Sequence, residues 1–150
     1  MTINALFAIA HFLAVFGIVA TLFFEWMTIS QTLSYVEAKR LQVCDRWYGL
    51  SAVIVLIVGF ARVLYFEKGK EFYFANPFFH AKLGLFVAIG LLSIYPTVRF
   101  IKWGAQTKQG LAPVVAEREY KTIKALLSVQ LLLLIGVATC ASFMARGIGM

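Results

Sequence analysis

The stretch IKALLSVQLLLLIGVATCASFM, residues 123–144, decides the fold class. Lys124 is its only charged side chain. At about 1.5 Å per residue, a helix over this stretch is roughly 33 Å long, against a hydrocarbon core of about 30 Å. Its apolar residues run on without the alternation of a barrel strand, and an open sheet would leave backbone groups unpaired in lipid. It predicts a membrane-spanning helix.

Three further runs, at about 3–29, 48–66 and 78–101, have the same character. Only 14% of the 150 residues are charged, where a soluble domain of this size carries about a quarter. The expectation is one all-α domain over 1–150, an integral membrane bundle of four transmembrane helices in contact with the lipid bilayer. The net charge of +7 does not point to nucleic acid, because the cations gather at helix ends. Asn76-Pro77 predicts the start of the third span, with Asn as N-cap and Pro in the first turn.

Charge placement predicts orientation. Lys39, Arg40 and Arg46 fall in the first connection, and Arg99, Lys102, Lys108, Arg118, Lys121 and Lys124 in or beside the third. In the middle connection, Lys68 and Lys70 are offset by Glu67 and Glu71. The positive-inside rule then puts the first and third connections in the cytoplasm and both termini on the periplasmic side of a bacterial inner membrane. Trp26, Trp47 and Trp103 are expected in an inner aromatic belt, and Phe72, Tyr73, Phe74, Phe78 and Phe79 in an outer one. The N-terminal run lacks a basic leader and is expected to stay as a span. Residues 104–120 leave room for an interfacial helix. Gly59, Gly84, Gly90 and Gly136 permit close helix approach and suggest a homo-oligomer. Cys44, expected in a connection, and Cys140, in the last run, have no metal-ligand or disulfide spacing.

Ionisable residues inside spans are costly, and here they are His11, Glu25, Arg62, His80, Lys82 and Arg99. The two histidines of the chain both belong to the outer half. Paired imidazoles in a helical bundle commonly ligate haem iron. Ala8 and Ala14 flank His11, and Gly84 lies one turn from His80, leaving room for a flat macrocycle. Arg62 and Lys82 lie at the right end to pair its propionates. The depths differ, however: His11 is roughly 12 Å below Ile3 and His80 roughly 5 Å below Pro77. The chain can thus supply one bis-histidine haem b site or up to two single-histidine sites. The competing reading is that the histidines, and Met27 and Met144 with them, merely pack between helices. Glu25 and Arg99 are expected to form a structural ion pair or to contact headgroups, in preference to a proton path.

The segment Phe79-His80-Ala81-Lys82-Leu83-Gly84-Leu85 resembles the HemJ-type membrane protoporphyrinogen oxidases, which carry His-x-Lys-Leu at the start of a corresponding helix. His11-Phe12-Leu13-Ala14-Val15 is similar to that family's first helix, and Arg46-Trp47-Tyr48-Gly49 to the entry into its second. The resemblance implies haem binding at His11 and His80, and a role for Lys82 in haem binding or in catalysis on protoporphyrinogen IX. The chain departs from that pattern at Ser93, Tyr95 and Pro96, where the oxidases have a further histidine, and at Glu25-Trp26-Met27. As a whole it looks closer to a family of predicted four-helix bacterial membrane proteins with a domain of unknown function, distantly related to the oxidase. Three functions are expected in turn: a membrane haem b protein in redox or electron transfer, a protoporphyrinogen oxidase-like enzyme, or a non-redox transport or assembly subunit.

Overall fold

The computed structural model describes residues 2–66 and 70–149. Helix α1 spans Ile3–Thr28, and α2 spans Tyr35–Ala61 and runs on into a π-helical turn, Arg62–Phe66. A short α3, Lys70–Ala75, leads into α4, Pro77–Lys102; a single turn, α5, covers Gly104–Thr107; and α6 spans Glu117–Ala145. Four of these stretches, Ile3–Thr28, Tyr35–Tyr65, Pro77–Thr107 and Glu117–Ala145, are long and apolar enough to cross a membrane. The outer surface agrees: Phe16 and Leu132 are each 67% exposed, part of an apolar coat that water would not tolerate.

Local chemistry sets the helix starts. Ser34 and Glu37 form a capping box, with Ser34 N–H donating to Glu37 Oε2 at 2.8 Å and Glu37 N–H donating to Ser34 Oγ at 3.2 Å. That box starts α2 well before the apolar run beginning at residue 48. Cys44 therefore lies inside α2, not in a connection, because the cap and a buried face of Ala38, Leu41, Asp45 and Tyr48 carry the helix through the charged segment. Asn76 caps α4 as expected, accepting from Phe78 N–H at 2.9 Å with Pro77 in the first turn. Asn76 Nδ2 also donates to the Ile148 carbonyl at 3.2 Å, tying the start of α4 to the end of α6. The third connection holds only the single turn of α5 and then non-helical chain over 111–116.

The four long helices pack as a square in which α1 touches α2 and α6, and α4 touches α6 and α2. Helices α1 and α4 stand on one diagonal, α2 and α6 on the other. This up-down course brings both termini to one end, called here the termini end; the opposite one is the far end. Close approach occurs at Gly17, where a Cβ would lie 2.5 Å from Ser51 Oγ, and at Gly136, where it would lie 3.1 Å from Leu85. Gly84 and Gly90 face open space.

The core is in two parts. One cluster, built on Ile18, Leu22, Leu41, Phe100, Ile123 and Leu127, fills the far half. A smaller one of Val63, Tyr73 and Phe79, with Leu83 and Met144 against it, fills the termini end. Two of the three tryptophans turn inward rather than joining a belt: Trp103 is 2% exposed, and Trp26 Nε1 donates to Ser128 Oγ at 2.9 Å. Tyr73 and Phe79 are likewise buried. Their rings pack against Val63 in the small cluster at that end. Glu67 and Lys68, half of the balanced charge in the middle connection, lie outside the described residues.

Candidate functional sites at the two ends of the bundle

The four expected site residues fall into two pairs rather than one group. His11 on α1 is half-buried in the seam with α2, where a Cβ on Gly59 would lie 3.3 Å from its Cε1. Arg62 follows Gly59 by three residues, hence on the same face of the helix, and its guanidinium lies 6.0 Å from the Phe12 ring centroid. His80 on α4 is exposed, 5.7 Å from Phe79 between ring centroids. Lys82 Nζ lies 5.6 Å from the same Phe79 ring. Each pair is thus a histidine and a cation gathered around one phenylalanine.

The two histidines occupy diagonal helices, and Val63, Tyr73 and Phe79 fill the interior at their end. A planar macrocycle held between both imidazoles does not fit that packing. Of the two histidines, His80 is the one turned outward, and one of its ring nitrogens is fixed. Its Nε2 is 2.9 Å from the Phe74 carbonyl, so this nitrogen carries the proton and donates, leaving Nδ1 with the lone pair. A backbone carbonyl that fixes one ring nitrogen is the usual support of a metal-bound histidine. Among the described residues there is no cluster of three or more His, Cys, Asp or Glu side chains suited to a bare metal ion.

The far end holds a second set of polar residues directed inward. Asp45 accepts from Thr97 Oγ1 at 2.7 Å, joining α2 to α4. Tyr48 donates to Gln130 Oε1 at 3.4 Å, joining α2 to α6 across the other diagonal. Glu25 on α1 is 1% exposed, and its Oε1 has no hydrogen-bond partner; the same holds for Nε2 of the wholly buried Gln130. A cavity of ≈ 330 Å³ between α2 and α4, lined by Asp45, Tyr48, Ser93 and Thr97 among apolar residues, opens beside this set.

The expected Glu25–Arg99 pair is not formed. Arg99 instead grips Glu119 with two parallel bonds, Nε to Oε1 at 2.8 Å and Nη2 to Oε2 at 2.5 Å, and Trp103 Nε1 adds a third at 3.0 Å. The reason is topological: α4 and α6 are neighbours along the square, whereas α1 and α4 are not. Gln42 closes the layer, donating to the Phe100 carbonyl at 2.8 Å and accepting from Thr107 at 3.2 Å. Asp45 and Gln130 escaped the sequence reading, one because it was assigned to a connection, the other because it is uncharged. The signal for Asp45 was the Ser34–Glu37 box, which puts it on the buried face of α2.

A family model described as "Predicted membrane protein (DUF2214)" matches residues 3–149. The chain belongs to that family. No curated protein matches it, and no solved structure does. Membership in DUF2214 agrees with four apolar helices embedded in a bilayer as a multi-pass protein.

Proposed function

We propose that this DUF2214 chain is a b-type haem protein of a bacterial inner membrane with a redox or electron-transfer role, holding one haem per histidine at its termini end. The observation that carries the reading is His80: an exposed imidazole fixed by the Phe74 carbonyl, with Lys82 two residues on. His80 would ligate the iron, and Lys82 would pair a propionate. His11 and Arg62 form the corresponding set across the diagonal. Bound haem would supply one-electron chemistry. Any further ligand to such a haem would come from outside this chain, for which a second copy is the simplest source, in keeping with a homo-oligomer. The exposed Arg40, Arg46, Arg118 and Lys121 at the far end support a cytoplasmic far end and periplasmic termini.

A second reading, oxidation of protoporphyrinogen IX, is favoured by Lys82, a half-buried cation two residues from the exposed His80, which would pair a carboxylate of the tetrapyrrole. Visible spectra of the detergent-solubilised protein from haem-replete cells test the first reading. A Soret band that shifts on reduction is expected, with His80→Ala lowering haem retention several-fold while the protein still inserts. A colourless wild type, or full retention by His80→Ala, overturns the assignment and leaves a non-redox transport or assembly role. Complementation of a strain lacking its protoporphyrinogen oxidase tests the second. Rescue by wild type but not by Lys82→Ala would favour the enzyme.

A further inference from the structure

We propose that Glu25 and Asp45 form an intramembrane site for one exchangeable positive charge, a proton or a sodium ion, shared between the two carboxylates. This goes beyond the haem reading and does not depend on it, since the site is at the opposite end of the bundle.

The argument starts from burial. Glu25 is 1% exposed and Asp45 is 8% exposed, on adjacent helices that cross the bilayer. Two ionised carboxylates in such a place repel each other and forfeit their hydration, a cost that proteins meet by neutralising the group or pairing it. The helices bring these two together. Cys44 Sγ lies 3.6 Å from the Thr21 carbonyl, which sets the register between α1 and α2. Glu25 is one turn beyond Thr21, and side chains on a helix lean toward its N-terminus. In antiparallel neighbours, that lean carries the Glu25 and Asp45 carboxyls toward each other, and their charges interact.

Fixed cations do not supply the neutralisation. The charged and titratable groups facing Glu25 from α2 are Cys44, Asp45 and Tyr48. From α6 the nearby cation is Lys124, whose ammonium donates to the Trp26 carbonyl and sits 3.9 Å from the Trp26 ring centroid. Arg99 is committed to Glu119. Meanwhile Glu25 Oε1 and Gln130 Nε2 are both buried without a partner, the one a free acceptor and the other a free donor. A single exchangeable cation satisfies the acidic side of that arrangement. A cavity with a mostly apolar lining opens beside Asp45, with Ser93 and Thr97 among its few polar groups.

Infrared difference spectra of the full-length protein in lipid vesicles test this. In choline chloride, wild type should show a protonated-carboxyl band that shifts in deuterium oxide, declines as pH rises and disappears in Glu25→Gln. Suppression of that band by sodium chloride at fixed pH identifies sodium as the occupant; insensitivity to sodium identifies the proton. Glu25→Gln mimics the protonated form, so with both proteins compared in choline chloride its thermal midpoint should equal or exceed that of wild type. Absence of any Glu25-dependent carboxyl band in choline chloride across the pH range overturns the proposal. So does a Glu25→Gln protein that inserts yet melts well below wild type, since that would mean Glu25 is held charged by a fixed partner.

Discussion

The termini end and the far end of this bundle solve the same problem differently. At the termini end the interior is apolar, built on Val63, Tyr73 and Phe79, and two histidine–cation pairs sit toward its periphery. At the far end polar side chains point inward and bind helix to helix: Asp45 to Thr97, Tyr48 to Gln130, Arg99 to Glu119. In lipid, helices gain little from burying apolar surface against each other, so cohesion comes from close packing or from interhelical hydrogen bonds. The termini end leans on the first, with Asn76 and the Ile148 carbonyl as its tie between α4 and the end of α6, and the far end adds the second to its own packed cluster. Of the histidines, His80 is exposed toward an outside partner, whereas the polar groups of the far interior are largely engaged with one another.

The sharpest way to break the contrast is Phe79→Ala. Phe79 is 2% exposed and its ring centroid lies 5.7 Å from that of Tyr73 and 5.6 Å from that of Phe74. Truncation leaves a cavity in a small cluster, which should cost about 3 kcal/mol of unfolding free energy in detergent titrations. It should also loosen His80, which packs on the same ring. A loss under about 1 kcal/mol would mean that the termini end is not held by aromatic packing.

Next in size comes Arg99→Ala at the far end. Glu119 is 7% exposed and would keep only the Trp103 bond, so a buried carboxylate would stand largely uncompensated. Removing one partner of a fully buried pair costs about 3–5 kcal/mol. The Arg99 side chain is 30% exposed, so solvent screens part of the pair, and about 2 kcal/mol is expected in the same titration. Glu119→Gln, which keeps the shape and one acceptor, should recover part of that loss; no recovery would remove the pair as the cause.

Much of the fold was open to sequence reasoning because the hydrocarbon thickness imposes length, and apolar runs report length directly. Asn76-Pro77 likewise announced its own cap, since capping is a local matter. The partner of Arg99 was not local. Whether it meets Glu25 or Glu119 depends on which helices are neighbours in the square, and charge spacing along the chain carries no such information. The inward turn of Trp26 and Trp103 has the same origin, since an indole near a helix end suits either a membrane interface or a buried acceptor. Of the site residues, the types were legible and the grouping was not: His11 and His80 share an end but not a seam.

Thr97→Val gives the smallest effect and the most specific one. The substitution keeps volume and β-branching while removing the hydroxyl that donates to Asp45 Oδ1 at 2.7 Å. Interhelical hydrogen bonds in membrane proteins average about 0.6 kcal/mol by double-mutant cycles, because the unfolded helices also find partners in the membrane. A loss near that value is expected for Thr97→Val alone. In an Asp45→Asn background the loss should persist, because the amide oxygen still accepts the hydroxyl proton. In an Asp45→Ala background it should vanish, because the acceptor is gone. A cycle that finds no coupling between Thr97 and Asp45 would take away one of the hydrogen bonds that join α2 to α4 and leave that seam to Gln42 and the Phe100 carbonyl.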